Sequence, residues 1–483
     1  MSERRPPRSA AHELERYDGL FASRTRVMRS SAMRDLMAVT VRPEVISLAG
    51  GLPDTSTFDP ALFARLLGEM PTAQALQYGP SEGLPGVRQA ITRVMAAEDM
   101  DVDPEHVIVT TGGQQAIDLV TKTLVDPGDV VIAEAPTYPG AVPTFCSYEA
   151  EVIQIEMDAD GMSIDALEET LARLDREGRR PKFIYTIPTF QNPAGVTMSL
   201  ERRRRLVALA RERELIVLED NPYGLLRYEG DPLPTLRSLE VPADSTEDND
   251  FVIYAGTMSK ILSPGVRVGW LVAPRPLLAK LILGKQASDL CSSTLTQHFV
   301  AGYFASADWR AYIDELRDVY HRRRDVILDA LAEHLPAAAS WTRPHGGLFI
   351  WVTLPDFINT TDLLARALAE NVAFVPGEAA FADGRGQHSM RLNFSSEADD
   401  DIREGVRRIG KIVAEQVSMY EKLTGRPGAT AAGRAATAVH GGAGGAGVER
   451  GAAENTPTGD ALPANVLELP RRGATEGRRS RGA

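Results

Sequence analysis

The sequence predicts an α/β protein: a mostly parallel sheet covered by helices on both faces, followed by a smaller α+β unit. Three observations carry this. Short apolar runs recur through the middle of the chain as HVIVTT (106–111), DVVIAEA (129–135), KFIYTIP (182–188), LIVLED (215–220) and FVIYAGT (251–257). Several are separated by segments with helical apolar spacing, such as IDALEETLARL (164–174) and RRRRLVALARERE (202–214). The runs are apolar throughout instead of alternating, which is how strands covered on both faces read.

The elements then follow in order. Residues 1–45 read as an N-terminal arm with a short helix around SSAMRDLMAVT. The strand–helix alternation fills a large unit over 46–307. A long helical stretch near 308–334 leads into GGLFIWVTL, a helix near 361–370, VAFVPG and SMRLNFS, which together read as a second unit over 308–423. From 424 to 483 the chain is rich in Gly, Ala and Arg; it lacks the apolar surface needed to offset its ordering entropy, so a disordered tail is expected.

At 483 residues the chain is too long for one ordinary domain. Its net charge of −13 argues against a nucleic-acid surface. No apolar run of about 18 residues occurs, so no membrane span is expected, and the N-terminus lacks the apolar core of a secretory signal. Two cysteines, Cys146 and Cys291, suit a reducing, cytoplasmic setting and read as buried thiols. No metal site is expected.

In open α/β sheets ligands sit beyond the carboxyl ends of the strands, so what each strand delivers there is informative. The first run ends in Gly112, Gly113, Gln114 and Gln115 at a helix start, an arrangement of free N–H groups suited to phosphate. The second delivers Tyr138 between prolines, able to stack on a flat ring. The third delivers Asn192, and the fourth Asp220 followed by Asn221, Pro222 and Tyr223. The fifth delivers Thr257, Ser259 and Lys260. Taken singly, these are also what a tight turn, a rim tyrosine, an Asn-Pro turn or a salt-bridged acid would give. Five strand ends with compatible polar groups are much harder to explain that way.

Elimination singles out Lys260. Only seven of the 53 basic residues are lysines. Lys122, Lys280, Lys411 and Lys422 lie in helical patterns where a solvated face is expected. Lys182 precedes a strand, and Lys285 is helical with a site-facing orientation left open. Lys260 alone follows a strand with hydroxyls three and one residues before it. Arg267, seven residues on, completes a second phosphate grip with those hydroxyls.

The motifs AGGLPD, LQYGPSEGLPGVR, TTGGQQAIDLV, APTYPG, PTFQNPAG, EDNPYG, GTMSKILSPGVRVGW, RPHGGLFIWV, NVAFVPG and MRLNFS resemble those of fold-type I pyridoxal-phosphate (PLP) enzymes of the class I/II aminotransferases. The branch most resembled is that of the 2-aminoadipate/kynurenine-type enzymes, over roughly residues 30–420. The resemblance implies a seven-stranded, mostly parallel sheet in the large domain and a homodimer with active sites at the interface. Lys260 would carry PLP as a Schiff base. Asp220 would pair with the pyridinium nitrogen, Asn192 and Tyr223 would bond the ring 3-oxygen, and Tyr138 would stack on the ring. Gly113, Gln114, Thr257, Ser259 and Arg267 would surround the phosphate, with Tyr78 reaching it from the other subunit. Arg391 would take the substrate α-carboxylate, Gly51 would leave room beside the substrate, and Arg34 would meet a distal carboxylate. Arg34 is equally readable as a surface helix arginine.

The expected reaction is ping-pong transfer of an amino group from an α-amino acid to a 2-oxo acid, with 2-oxoglutarate as the expected acceptor. Decarboxylation, elimination, racemisation or oxidation would use the same cofactor and differ only in which Cα bond is broken. A non-catalytic PLP-binding regulator is disfavoured by the intact Lys260, Asp220 and Arg391. The related MocR-type regulators place a DNA-binding domain ahead of this module, and only about 45 residues precede AGGLP.

Overall fold

A computed structural model describes residues 17–28, 42–240 and 250–425. Arg34, most of the predicted arm and the Gly/Ala/Arg-rich tail lie outside the described residues.

Fourteen strands are found among them, numbered in chain order. β1 is Ile46–Ser47, β2 Val107–Thr110, β3 Val130–Ala135, β4 Glu151–Asp158, β5 Gly161–Met162, β6 Pro181–Thr186 and β7 Ile216–Asp220. β8 is Val252–Thr257, β9 Gly269–Val272, β10 Ser340–Trp341, β11 Phe349–Thr353, β12 Val372–Ala373, β13 Val375–Pro376 and β14 Ser389–Asn393. The large sheet has the order β2-β9-β8-β7-β6-β3-β4-β5. The neighbours from β4 through β3, β6 and β7 to β8 are parallel. β9 runs antiparallel between β8 and β2. Seven strands form the body of the sheet, and the two-residue β5 adds a short antiparallel edge to β4.

All five apolar runs become strands, each within one or two residues of its predicted ends. They are buried along nearly their whole length, because helices pack on both faces. The helix Gly112–Leu124 packs against Arg275–Asp289, and Pro85–Ala96 against Thr294–Ser306. Helix starts follow local chemistry: Ser163 and Ser199 accept backbone N–H groups at the heads of Ile164–Arg176 and Leu200–Arg213. Apart from the short β5, two further strands of the sheet, β4 and β9, carry weaker sequence signals. β4 (EVIQIEMD) is only partly buried, and β9 (GWLV) follows closely on the Pro264–Val266 turn, whose residues mask its pattern.

The predicted long helix is observed as Trp309–His334, capped by Asp308, and the later one as Thr360–Ala369. Thr360–Ala369 packs on β13 of a four-stranded sheet of order β10-β11-β14-β13, and Trp309–His334 packs against the last helix, Asp399–Thr424. A second pairing, β1 with β12, ties the segment just before AGGLP to this region. Cys146 and Cys291 are free and half-buried; the expectation of fully buried thiols does not hold.

Candidate active site

Because β2, β3, β6, β7 and β8 point the same way, the residues after them gather at one edge of the sheet. A cavity of about 590 Å³ lies there. Its walls include Gly51, Gly113, Gln114, Tyr138, Asn192, Asp220, Tyr223, Thr257, Ser259, Lys260, Arg267 and Arg391. Of the residues that the family resemblance gives a cofactor or substrate role, Arg34 and Tyr78 are not in its walls, and neither are the strand-end residues Gly112, Gln115 and Asn221. Arg34 is outside the described residues, and Tyr78 is 79% exposed on the protein surface.

β9 explains how the two phosphate grips meet. Its first residue, Gly269, pairs with Thr110 on one side and Thr257 on the other. This brings the Gly112–Gly113 helix start beside the Thr257–Ser259 turn. Thr257 Oγ1 donates to Ser259 Oγ at 2.9 Å and accepts from the Ser259 N–H at 3.2 Å. Arg267 Nη2 donates to Thr111 O at 3.3 Å. Gly112 has φ +77°, a backbone conformation that favours glycine, and a methyl group there would push the Arg267 guanidinium, 2.6 Å away, out of its place in the grip. The Gln114 side chain is committed elsewhere: its Nε2 donates to Thr144 Oγ1 at 2.7 Å and its Oε1 lies 3.3 Å from the Tyr138 hydroxyl. Only its backbone N–H is left for an anion, while its side chain braces Tyr138.

Asp220 is buried at the end of β7. The Tyr185 hydroxyl donates to its Oδ2 at 2.7 Å, and it has no ion pair among the described residues. Burial pushes its carboxyl up to about 7 against the pull of the Tyr185 bond, and the nearby Glu134 adds to the rise. Lys260 is half-buried in the cavity wall, with its Nζ on the Gly51 carbonyl oxygen. Desolvation, then the charges of Arg391 and Arg267, lower its amine to about 8.

Arg391 reaches the cavity from β14. It is buried, donates to Asn192 Oδ1 at 3.0 Å and to Ala49 O at 2.7 Å, and lies 4.2 Å above the Phe349 ring. Asn192 Nδ2 is 3.5 Å from the Tyr223 hydroxyl, at the outer limit of a hydrogen bond. Burial lowers the Arg391 guanidinium to about 10.

The structure adds two residues that sequence reasoning missed. Tyr185 sits inside an apolar strand, where a buried hydroxyl needs a partner; that need was its only signal. Phe349 floors Arg391 and meets Tyr223 edge-on with ring centroids 5.9 Å apart. It also revises the reading of Gly51: a methyl group there would come within 2.8 Å of Phe349 Cζ, so the aromatic ring takes the room that the glycine leaves. Lys285, whose orientation was open, is fully buried away from the cavity. Its Nζ bonds Asp289, Ser292 Oγ and Gln115 Oε1.

The family model for class I and II aminotransferases matches residues 43–409. Over 405 residues the chain is 41% identical to aromatic-amino-acid aminotransferase 1 of Thermococcus litoralis, covering 83% of this chain and 95% of the relative. The kynurenine aminotransferase of Pyrococcus horikoshii, solved in complex with PMP, is 40% identical with a TM-score of 0.77, covering 85% of this chain and all of that one. LysN of Thermus thermophilus, an α-aminoadipate aminotransferase complexed with N-(5'-phosphopyridoxyl)-L-leucine, gives 36% identity and a TM-score of 0.77 over 83% and 99% of the two chains. The chain belongs to the class I and II aminotransferases. It is a PLP-dependent enzyme that transfers amino groups, and its relatives include aromatic, 2-aminoadipate and kynurenine aminotransferases.

Among the described residues no helix is long and apolar enough to cross a membrane. No cluster of His, Cys, Asp or Glu among them could hold a metal ion.

Proposed function

We propose that the strand-end cavity binds PLP and both substrates, and that Lys260 is the lysine that carries the cofactor. The observation behind this reading is that an amine lowered to about 8 and a buried acid raised to about 7 line one cavity. The residues fit the group. Asp220 needs a cation to offset its burial, and a protonated ring nitrogen is one. The Gly113 and Gln114 N–H groups, Thr257, Ser259 and Arg267 form an anion cradle at a helix start. The flat Tyr138 ring lines the same cavity.

PLP, when bound, supplies the electron sink that stabilises negative charge at the amino acid's Cα. Asp220 holds the ring nitrogen in its protonated form. Asn192 and Tyr223 would hold the ring oxygen by hydrogen bonds, and Tyr138 would offer its ring for stacking. Arg391 grips the α-carboxylate, so the Cα–H bond is aimed at Lys260. The Lys260 amine, lowered to about 8, would serve as the base that takes up the proton from the amino acid's Cα and gives it back. Water would then be needed to split the C=N bond, giving the 2-oxo acid its carbonyl oxygen and leaving the amino group on the cofactor.

The acceptor is read as 2-oxoglutarate, Gly51 lies beside the substrate, and Arg34 is assigned to a distal carboxylate of acidic donors. The working state is read as a cytoplasmic homodimer in which Tyr78 of one copy reaches the other's phosphate. Exposed Leu76, Tyr78, Leu290 and Leu295 support this. They lie on adjoining segments, since Thr294 Oγ1 bonds Ala75 O and Gln77 O and Ser81 Oγ bonds Leu290 O. Residues 46–307 and 308–423 are proposed as its two domains.

The test is Lys260→Ala on the purified protein. It is expected to abolish turnover and the borohydride-reducible link to PLP while leaving PLP bound non-covalently; a retained covalent link would overturn the assignment. Screening amino donors against 2-oxoglutarate, with Arg34→Ala alongside, settles substrate class. A selective loss for acidic donors supports the Arg34 role, and an equal loss for all donors removes it.

A further inference from the structure

Beneath the turn that carries Asn192 lies a carboxylate with no part in the steps above. Glu134, on β3, is 1% exposed and makes no ion pair among the described residues. Its Oε1 accepts from Thr186 Oγ1 at 2.5 Å. Its Oε2 accepts from the Ile187 N–H at 3.2 Å and from Gln191 Nε2 at 3.0 Å. Burial without a counter-charge is unfavourable, and it pushes this carboxyl above the usual carboxylate range. Fold stability by itself gives no reason to keep an acid here.

The turn above it needs a brace. Phe190, a buried non-glycine residue, has φ +51°, and Gly195 has φ +69°. Gln191 ties the turn together. Its N–H donates to Val196 O at 2.8 Å, its carbonyl accepts from Gly195 at 2.6 Å, and its Oε1 accepts from the Ala194 N–H at 2.8 Å. Its Nε2 is shared between Glu134 and Pro136 O, the latter at 2.8 Å. A strained backbone persists where its surroundings over-determine it. The residue between Gln191 and the rest of the turn is Asn192, whose Oδ1 accepts from Arg391.

We propose that Glu134 is a positioning residue for amino-group transfer: through Gln191 and the Ile187 amide it holds the 190–196 turn so that Asn192 meets Arg391 and Tyr223. Neither Glu134 nor Gln191 lines the cavity, so Glu134 acts through Asn192. The inference rests on the role given to Asn192 above. An amide can replace the carboxylate geometrically. Its oxygen accepts from Ile187 and Gln191, and its NH2 donates to Thr186 Oγ1, so Glu134→Gln is the conservative variant.

The test uses PLP-loaded enzyme and two readouts, KM for the amino donor and the pH titration of the bound cofactor's visible absorption. Glu134→Ala is expected to raise KM roughly tenfold, the loss from one misaligned charge-assisted hydrogen bond, and to displace the titration midpoint. Glu134→Gln is expected to restore KM; the titration midpoint is judged on Gln191→Ala, which leaves the Glu134 charge near Asp220 in place. Gln191→Ala cuts the link while leaving Glu134 in place and is expected to reproduce the Glu134→Ala effects, even where Glu134→Ala itself does not fold. A lowered melting temperature with KM and titration unchanged in Gln191→Ala overturns the proposal, as does a Glu134→Gln enzyme with no rescue. Asn192→Ala separates the two failures. If it moves neither readout, the Asn192 assignment is wrong; if it moves both while Gln191→Ala moves neither, the brace alone is wrong.

Discussion

A lysine in water is almost wholly protonated at neutral pH and a poor nucleophile. In the cavity wall, desolvation and two guanidinium charges bring Lys260 to about 8, so roughly a tenth of it is neutral at pH 7. The rate at which apo-protein captures PLP covalently should therefore rise with pH up to about 8 and level off above it. Stopped-flow absorbance checks this, and a rate flat between pH 6 and 9 would contradict it. Asp220 carries the opposite penalty. Its folded value of about 7 exceeds the ordinary 3.8, so between these values the native state keeps a proton that the unfolded chain has released. Stability of the apo-protein should fall as pH rises through that window, by up to about 1.4 kcal/mol per pH unit for this group. Asp220→Asn should flatten the slope in urea titrations without abolishing it, because Glu98 is raised to about 7 by burial with the same sign. An unchanged slope in Asp220→Asn would place the titration elsewhere.

At the scale of elements, the phosphate cradle depends on one helix start and one antiparallel strand. Gly112→Ala forces a side chain into positive φ and displaces the Arg267 guanidinium from the cradle. It should destabilise the fold by about 1–2 kcal/mol and raise the Kd for PLP, read by denaturation and by cofactor fluorescence. A stable Gly112→Ala protein with parental affinity would show that the cradle does not need this close approach. The runs that form β2, β3, β6, β7 and β8 were legible because burial on both faces leaves an uninterrupted apolar run. β4 was not, since it is partly exposed; β9, as short and as buried as β2, is masked by the turn residues of SPGVRVGW in which it sits. The lysine elimination located Lys260 from local context, yet left Lys285 open. A helical lysine facing solvent and one buried on Asp289 have the same local sequence.

For the whole molecule, the exposed apolar residues on the adjoining 72–81 and 290–297 segments lead to a prediction about assembly. The protein should run as a dimer in light-scattering chromatography. Tyr78→Phe should weaken PLP binding although Tyr78 lies outside its own cavity. Mixing inactive Lys260→Ala and Tyr78→Phe chains tests the shared site: heterodimers that leave one intact site and one doubly altered site support it, whereas activity that follows each chain's own residues argues against it.

The sequence by itself determined the fold class, the family and most of the cavity. Strand ends and turn residues are local properties, and the chain order of β2, β3, β6, β7 and β8 delivers them to one edge. Tertiary structure alone decided how those residues are held. Tyr185 on Asp220, Phe349 beneath Arg391, Gln114 on Tyr138 and Glu134 under the Asn192 turn are contacts between segments distant in sequence. Such partners have no pattern of their own, because hydrogen bonding and desolvation depend on what the fold brings close, not on what lies next along the chain.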